Sequence, residues 1–147
     1  MGARNRTALR RGALLASGWG LVVVVGLSVT FAVAGPAIID IMTTAPEVRA
    51  EARLYLGYMV LAPLIGVLPW MLDGIFIGAT RALDMRNMML ISALIYAASA
   101  AVLVPLWGNH GLWLSLLISF AARGITLAYR YPALEADADQ SVEYIPS

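Results

Sequence analysis

Residues 12–39 read GALLASGWGLVVVVGLSVTFAVAGPAII, a run without a single charged side chain. A helix needs about 20 mostly apolar residues to cross the hydrocarbon layer of a bilayer. This run is long enough, and two further uncharged stretches cover residues 54–72 and 87–122. The last stretch is too long for one crossing, so we expect it to hold two. The sequence therefore predicts an all-α integral membrane protein with four transmembrane helices.

The composition agrees with a membrane protein. Of the 147 residues, 61% are hydrophobic and only 13% are charged. A water-soluble domain of this size would have too few polar side chains to cover its surface. The net charge of +1 argues against a nucleic-acid-binding surface, which needs clustered basic residues. Because the chain has no cysteine, a disulfide framework and a thiolate metal site are both excluded.

Turn signals divide the apolar stretches into helices. Residues 107–111 read WGNHG, and this concentration of glycine and polar side chains predicts a turn. The predicted transmembrane region covers residues 13–131, with helices at 13–34, 46–80, 85–106 and 112–131. Residues 1–12 are predicted to form a basic cytoplasmic amino terminus, and residues 132–147 a disordered acidic tail.

Helix ends and interruptions can be predicted as well. Thr44 and Glu47 have the spacing of a capping box, in which two side chains satisfy backbone donors at a helix start. Asp84 is expected to cap the third helix. Pro63 and Pro69 lie inside the second helix and each removes a backbone hydrogen bond, so a bend is expected there.

Arginine counting predicts the orientation, because short loops rich in positive charge stay on the cytoplasmic side. Four arginines precede the first span, Arg81 and Arg86 separate the second from the third, and the last predicted turn has none. Both termini are therefore expected to be cytoplasmic, with Arg81 and Arg86 as cytoplasmic anchors. A cleaved secretory signal ending at residues 32–34 is a competing interpretation, but the apolar run is longer than such signals usually have.

Few residues have catalytic potential. The sequence contains no recognisable pair of catalytic carboxylates, nucleophile with a base, or phosphate-binding glycine loop. Its single histidine, His110, cannot assemble a metal site without other imidazoles or thiolates. We therefore expect neither an enzyme nor a resident metal or cofactor.

Asp73 is the most informative polar residue, because it interrupts an otherwise apolar predicted helix. An aspartate at the centre of a transmembrane helix costs about 2.5 to 3.5 kcal/mol, and such residues usually face a bundle interior or a wet cavity. Asp73 can accordingly be interpreted as an ion-coupling or substrate-cavity residue, or as the simple partner of an arginine near the membrane surface. Arg123, inside the fourth predicted helix, either extends to the surface or meets Asp73 across the bundle.

Smaller signals concern packing. Gly74 and Gly78 have the four-residue spacing that lets a neighbouring helix approach closely, so we expect them in helix packing. Ser92, Tyr96 and Ser99 form a polar stripe on the third helix, and Ser115 and Ser119 form a similar stripe leading to Arg123. These stripes either line a cavity, where Ser92 and Tyr96 would be site residues, or make interhelical hydrogen bonds.

Several segments resemble one family of membrane carriers. Residues 72–81, LDGIFIGATR, continued by DMRN at 84–87, are similar to the segment joining the tenth and eleventh helices of multidrug and toxic compound extrusion (MATE) transporters, in particular their DNA-damage-inducible-protein-F-like branch. Residues 38–42, 47–49 and 55–56 resemble that family's link between helices nine and ten. Residues 105–113, PLWGNHGLW, resemble its last external turn.

This resemblance implies helices nine to twelve of a secondary carrier that expels cationic or amphipathic compounds in exchange for protons or sodium ions. The implied partners are the lipid bilayer, small drug-like substrates and the missing amino-terminal helices of the same transporter, in a bacterial inner membrane. The chain is expected to be a fragment that does not transport alone. Some family members bind cations through an acid in helix ten, about one turn from the position of Asp73.

Two alternatives remain open. A self-contained four-helix carrier acting as a homodimer would be expected to have an acid in its first span, but residues 13–34 contain none. The chain is otherwise a non-transporting membrane subunit or scaffold, in which Asp73 would be replaceable.

Overall fold

The computed structural model describes residues 6–79 and 81–140, which form four helices. These are α1 (Arg6–Met42), α2 (Pro46–Gly78), α3 (Ala82–Trp107) and α4 (Asn109–Gln140). All four are long and apolar enough to cross a membrane, and the described ranges contain no strand. The predicted all-α fold with four transmembrane helices is confirmed.

The first and last helices of the chain, α1 and α4, extend beyond their predicted ends. The prediction that α1 stops at residue 34 is wrong, because the helix continues through Pro36 to Met42. Within a membrane, neighbouring groups and local adjustments compensate the backbone bond that a proline removes. The predicted disordered tail is also wrong for residues 132–140, since α4 continues to Gln140 and Leu134 is buried in a hydrophobic cluster. Residues 141–147 and the first five residues lie outside the described ranges.

The capping predictions are wrong for both α2 and α3. Ala45, not Thr44, is the N-cap of α2, and no side chain caps it. Pro46 takes the first helical position instead, where a missing backbone N–H costs nothing. Asp84 lies within the first turn of α3, where its carboxylate pairs with the Arg81 guanidinium at 2.9 Å. A negative charge there is favourable because the helix dipole is positive at its amino end.

Arginine side chains clamp the turn between α1 and α2. Arg49 donates from Nε to the carbonyl of Thr43 at 2.7 Å and from Nη2 to the carbonyl of Asp40 at 2.8 Å. Arg53 donates to the Asp40 carboxylate at 2.7 Å. Carbonyls at a helix end have no partner within the helix, so Arg49 acts as a carboxy-terminal cap of α1.

The helices pack in the spatial order α1, α2, α4, α3. α2 packs against both α1 and α4, and α4 packs against α3. α2 and α3 touch each other little although they are consecutive, and the described residues of α1 and α3 do not touch at all. A cleft therefore separates α2 from α3, and α4 forms its floor.

Close approaches occur at glycines other than those predicted. A Cβ atom at Gly111 would run into the Leu103 carbonyl of α3, and one at Gly124 would lie 3.0 Å from the Leu68 side chain of α2. By contrast, a Cβ at Gly74 or Gly78 would meet nothing within 4 Å. Within the described chain α2 turns a different face to α4, so the role of these two glycines in helix packing stays a prediction.

Each end of the molecule has its own side-chain cluster. At the end formed by the α2–α3 turn, five buried side chains make the hydrophobic core: Leu72, Phe76, Met88, Leu127 and Leu134. At the opposite end, rings of α2 and α4 form what we call the aromatic cluster: Tyr55, Tyr58, His110 and Trp113.

The single turn residue Gly108 has a φ of 56°, a left-handed conformation that favours glycine. The turn predicted at residues 107–111 is thus shorter than expected.

Candidate substrate cavity

A cavity of about 310 Å³ lies between α2 and α3, and α4 closes its third side. This volume is at the lower end of the range for small-molecule sites, roughly 300 to 1,000 Å³. Its walls combine aromatic and aliphatic side chains with a few polar ones: Trp70, Asp73, Met89, Ser92, Ala93, Tyr96, Leu116, Ser119, Phe120 and Arg123. Predominantly apolar walls with few polar groups are typical of ligand pockets.

An ion pair joins two walls of the cavity. Arg123 Nη2 lies 2.9 Å from Asp73 Oδ2, and Nε and Nη2 donate to Oδ1 at 3.3 and 3.0 Å. Each side chain is 17% exposed. The predicted contact across the bundle is confirmed. Because charge-assisted bonds to both carboxylate oxygens satisfy Asp73, the pair makes two charges tolerable inside an apolar bundle.

The serines of the cavity use their protons within their own helices. Ser92 Oγ donates to the carbonyl of Met89 at 2.9 Å, and Ser119 Oγ donates to the carbonyl of Leu116 at 2.8 Å. Both side chains are buried. Ser92, Tyr96 and Ser119 of the predicted stripes line the cavity, whereas Ser99 and Ser115 do not, and the donors of the two cavity serines are not used for hydrogen bonds between helices.

Aromatic rings shape the remaining wall. Trp70 and Phe120 meet edge to face, with centroids 5.8 Å apart and planes at 69°. This is a favoured geometry for two rings, because the positive edge of one meets the negative face of the other. Trp70 thereby connects α2 to α4 one helical turn before Asp73.

Comparison with known proteins identifies the family of this chain. A model of the family described as MatE matches residues 1–102. The chain belongs to the MatE family. The DNA damage-inducible protein F of Escherichia coli (strain K12) is 42% identical over 107 residues, which cover 73% of this chain and 23% of that relative. The chain thus spans about a quarter of the length of the curated relative. No solved structure gives a significant match.

MatE membership confirms the resemblance to the multidrug and toxic compound extrusion family and its DNA-damage-inducible-protein-F-like branch. Together with the four apolar helices, it identifies a multi-pass membrane protein. The matched range includes Asp73 and Tyr96, whereas Arg123 lies beyond it.

The structure brings together four of the residues that the sequence singled out. Asp73, Arg123, Tyr96 and Ser92 all line the cavity of this MatE chain. Their assignment as ion-coupling or substrate residues stays a prediction.

The predicted packing glycines and cytoplasmic anchors of the MatE chain lie outside the cavity. Gly74 and Gly78 are exposed, Arg81 pairs with Asp84, and Arg86 donates to the Asn87 side chain at 3.2 Å. The role of Arg81 and Arg86 as cytoplasmic anchors stays a prediction.

Sequence reasoning missed the apolar lining. Trp70, Met89, Leu116 and Phe120 were not singled out, although all four line the cavity. Helical spacing contained the signal, because residues three or four apart share a helix face. Trp70 precedes Asp73 by three residues, and Phe120 precedes Arg123 by three.

The single histidine belongs to the aromatic cluster and not to the cavity. His110 Nδ1 lies 3.3 Å from the Tyr58 hydroxyl, and its ring centroid is 4.8 Å from that of Tyr55. In the part of the chain that the structure describes, no group of three or more histidine or acidic residues is arranged to hold a metal ion.

Proposed function

We propose that this chain forms part of a secondary active multidrug efflux transporter and that the cavity between α2, α3 and α4 receives the substrate. The observation that carries the proposal is the Asp73–Arg123 ion pair on the wall of an aromatic cavity between membrane spans. Ionisable residues inside spans usually mark substrate or ion pathways. MatE membership supports the same class of function.

The pair offers a means of coupling transport to an ion. A proton or a sodium ion at Asp73 would compete with Arg123 for the carboxylate, so the contact between α2 and α4 would weaken when the ion binds. A ligand or ion can drive a conformational change only through different affinities for two states. Exchange of protons or sodium ions for cationic or amphipathic compounds would follow if substrate and ion favoured opposite states of this contact.

We further propose that the remaining helices of the carrier, a bacterial inner membrane and drug-like small molecules are the partners of the chain. Support for additional helices comes from α3, of which only Met88 and Ser92 are buried. The DNA damage-inducible protein F relative, matched over 23% of its length, is the natural source of such helices for an experiment.

Efflux of ethidium, a planar organic cation, tests the proposal in cells without their own multidrug pumps. The chain would be expressed alone and also in place of the matched segment of the Escherichia coli relative. We expect efflux from the hybrid, and Asp73→Asn should abolish it. Asp84→Asn is the matched control, because Asp84 pairs with Arg81 outside the cavity.

The outcomes separate the alternatives. Efflux by the chain alone would favour a self-contained carrier that acts as a homodimer. Unchanged efflux in the Asp73→Asn hybrid would contradict a coupling role for the ion pair and would favour a scaffold subunit. In each case, the amount of protein in the membrane fraction shows whether the variant was made.

A further inference from the structure

Tyr96 lies in the cavity wall near the middle of α3, so its side chain is expected at mid-depth of the bilayer. Among the described residues, no group within hydrogen-bond distance of its hydroxyl is found, and this oxygen is also not among the buried unpartnered atoms. The hydroxyl is therefore accessible and unpaired.

The cavity contains two kinds of hydroxyl group. Ser92 and Ser119 donate their protons to carbonyls of their own helices. Tyr96 differs, because its ring holds the oxygen too far from its own backbone to do the same. The Tyr96 O–H is thus a neutral donor that the fold leaves available to a bound molecule.

An unpaired hydroxyl at this position is energetically unfavourable. A hydroxyl moved from water into apolar surroundings without a partner is unfavourable, because it loses its hydrogen bonds to water. Phenylalanine would fill the same space without that cost. Transporters commonly bind their substrates near the bilayer midplane, which is where this donor is expected.

We propose that Tyr96 determines specificity by donating a hydrogen bond to an acceptor atom on a planar aromatic ligand, whose ring lies against Trp70 and Phe120. The inference rests on the proposed substrate cavity and adds the chemical class of molecule that it prefers. An analogue without the acceptor would leave the donor unpaired, and binding sites discriminate strongly on that basis. A neutral hydrogen bond of about 0.5 to 1.5 kcal/mol corresponds to roughly a twofold to tenfold difference in affinity.

Acridine and anthracene form a matched pair of probes. Both are planar three-ring molecules of the same shape, and acridine replaces one ring C–H by a nitrogen acceptor. Binding would be measured on the full chain in detergent at alkaline pH, where acridine is neutral. Replacing Trp19, Trp107 and Trp113 by phenylalanine leaves Trp70 as the fluorescent reporter in the cavity wall.

We expect acridine to bind several-fold more tightly than anthracene, and Tyr96→Phe to remove this preference while the affinity for anthracene stays the same. Partition into micelles does not affect the result, because the preference is compared between two variants. Tyr58→Phe is the matched control, since that tyrosine belongs to the aromatic cluster at one end of the molecule.

The possible failures are distinguishable. If both probes bind equally to the chain with Tyr96, or if Tyr96→Phe keeps the preference, the role of Tyr96 is refuted while the cavity remains a binding site. If neither probe quenches Trp70, the cavity does not bind planar aromatic molecules. The inference is then overturned together with the substrate cavity on which it rests.

Discussion

Asp73 and Arg123 form an ion pair in which each residue depends on the other. Each side chain is mostly buried among apolar groups, and each supplies the counter-charge for the other. Removing one partner leaves an uncompensated charge, whereas replacing both removes the problem. The energetic effect of each residue therefore depends on the presence of the other.

A double-mutant cycle tests this dependence. Asp73→Asn and Arg123→Gln should each lower the free energy of unfolding, by about 3 kcal/mol if the pair behaves as a buried one. The double variant should lose less than the sum of the two, with a coupling energy of about 0.5 to 3 kcal/mol. Denaturation with SDS in mixed micelles, followed by circular dichroism, measures these values.

The surface pair of Arg53 and Asp40 provides the comparison. Its side chains are 48% and 40% exposed, so the corresponding cycle should give a coupling energy below about 1 kcal/mol. Additive losses in the Asp73–Arg123 cycle would contradict a direct energetic link between these residues.

The charged part of the candidate site was predictable, but its apolar part was not. Asp73 and Arg123 stand out because charges are rare in long apolar segments. Trp70 and Leu116 are chemically like many lipid-facing residues, so only the packing order of the helices distinguishes them. That order depends on contacts between distant parts of the chain, which periodicity in the sequence does not reveal.

The helices α3 and α4 can approach closely because residue 111 is a glycine and has no side chain. Gly111 lies in the first turns of α4, and a Cβ there would overlap the Leu103 carbonyl and lie 2.9 Å from the Val104 backbone nitrogen. Backbone atoms cannot move aside as a flexible side chain can. The two helices therefore approach closely just after the turn at Gly108.

Gly111→Ala should consequently destabilise the protein, by about 1 to 3 kcal/mol, which is typical of overpacking. Gly74→Ala is the matched control, because a Cβ at Gly74 meets nothing within 4 Å. In a helix interior, that replacement should be neutral or stabilising by up to about 1 kcal/mol. The same SDS titration compares them, and equal stability of the two variants would show that α3 and α4 are not held this closely.

The existence of the helices was easier to predict than their ends. Long uncharged segments indicated four spans correctly, since the bilayer imposes a minimum apolar length. Local cap signals failed at Thr44 and Asp84, because no side chain caps either helix: Pro46 takes the first position of α2, and Arg81 takes the N-cap position of α3 without a capping hydrogen bond. The extension of α4 depends on burial of Leu134 against distant residues, which a local pattern cannot show.

At the scale of the whole molecule, charge is distributed unequally between the two ends. The aromatic-cluster end carries Arg49 and Arg53 together with three acids, Asp40, Glu47 and Glu51. The opposite end is richer in basic side chains. Its arginines include Arg10, Arg11, Arg81, Arg86 and Arg130, and its acids include Asp84 and Glu135. The first part of α1 packs near α4, where the charge of Arg10 acts on Tyr131.

The positive-inside rule then predicts which end faces the cytoplasm. The chain contains no cysteine, so single cysteines can report accessibility without background. Asn87→Cys and Asn109→Cys replace the same residue type at exposed positions on opposite ends. In intact spheroplasts, an impermeant maleimide should label Asn109→Cys at once, and Asn87→Cys only after the membrane is permeabilised. The reverse labelling pattern would show that the basic end faces away from the cytoplasm. Lipid or partner helices would then have to outweigh the effect of its arginines on the orientation.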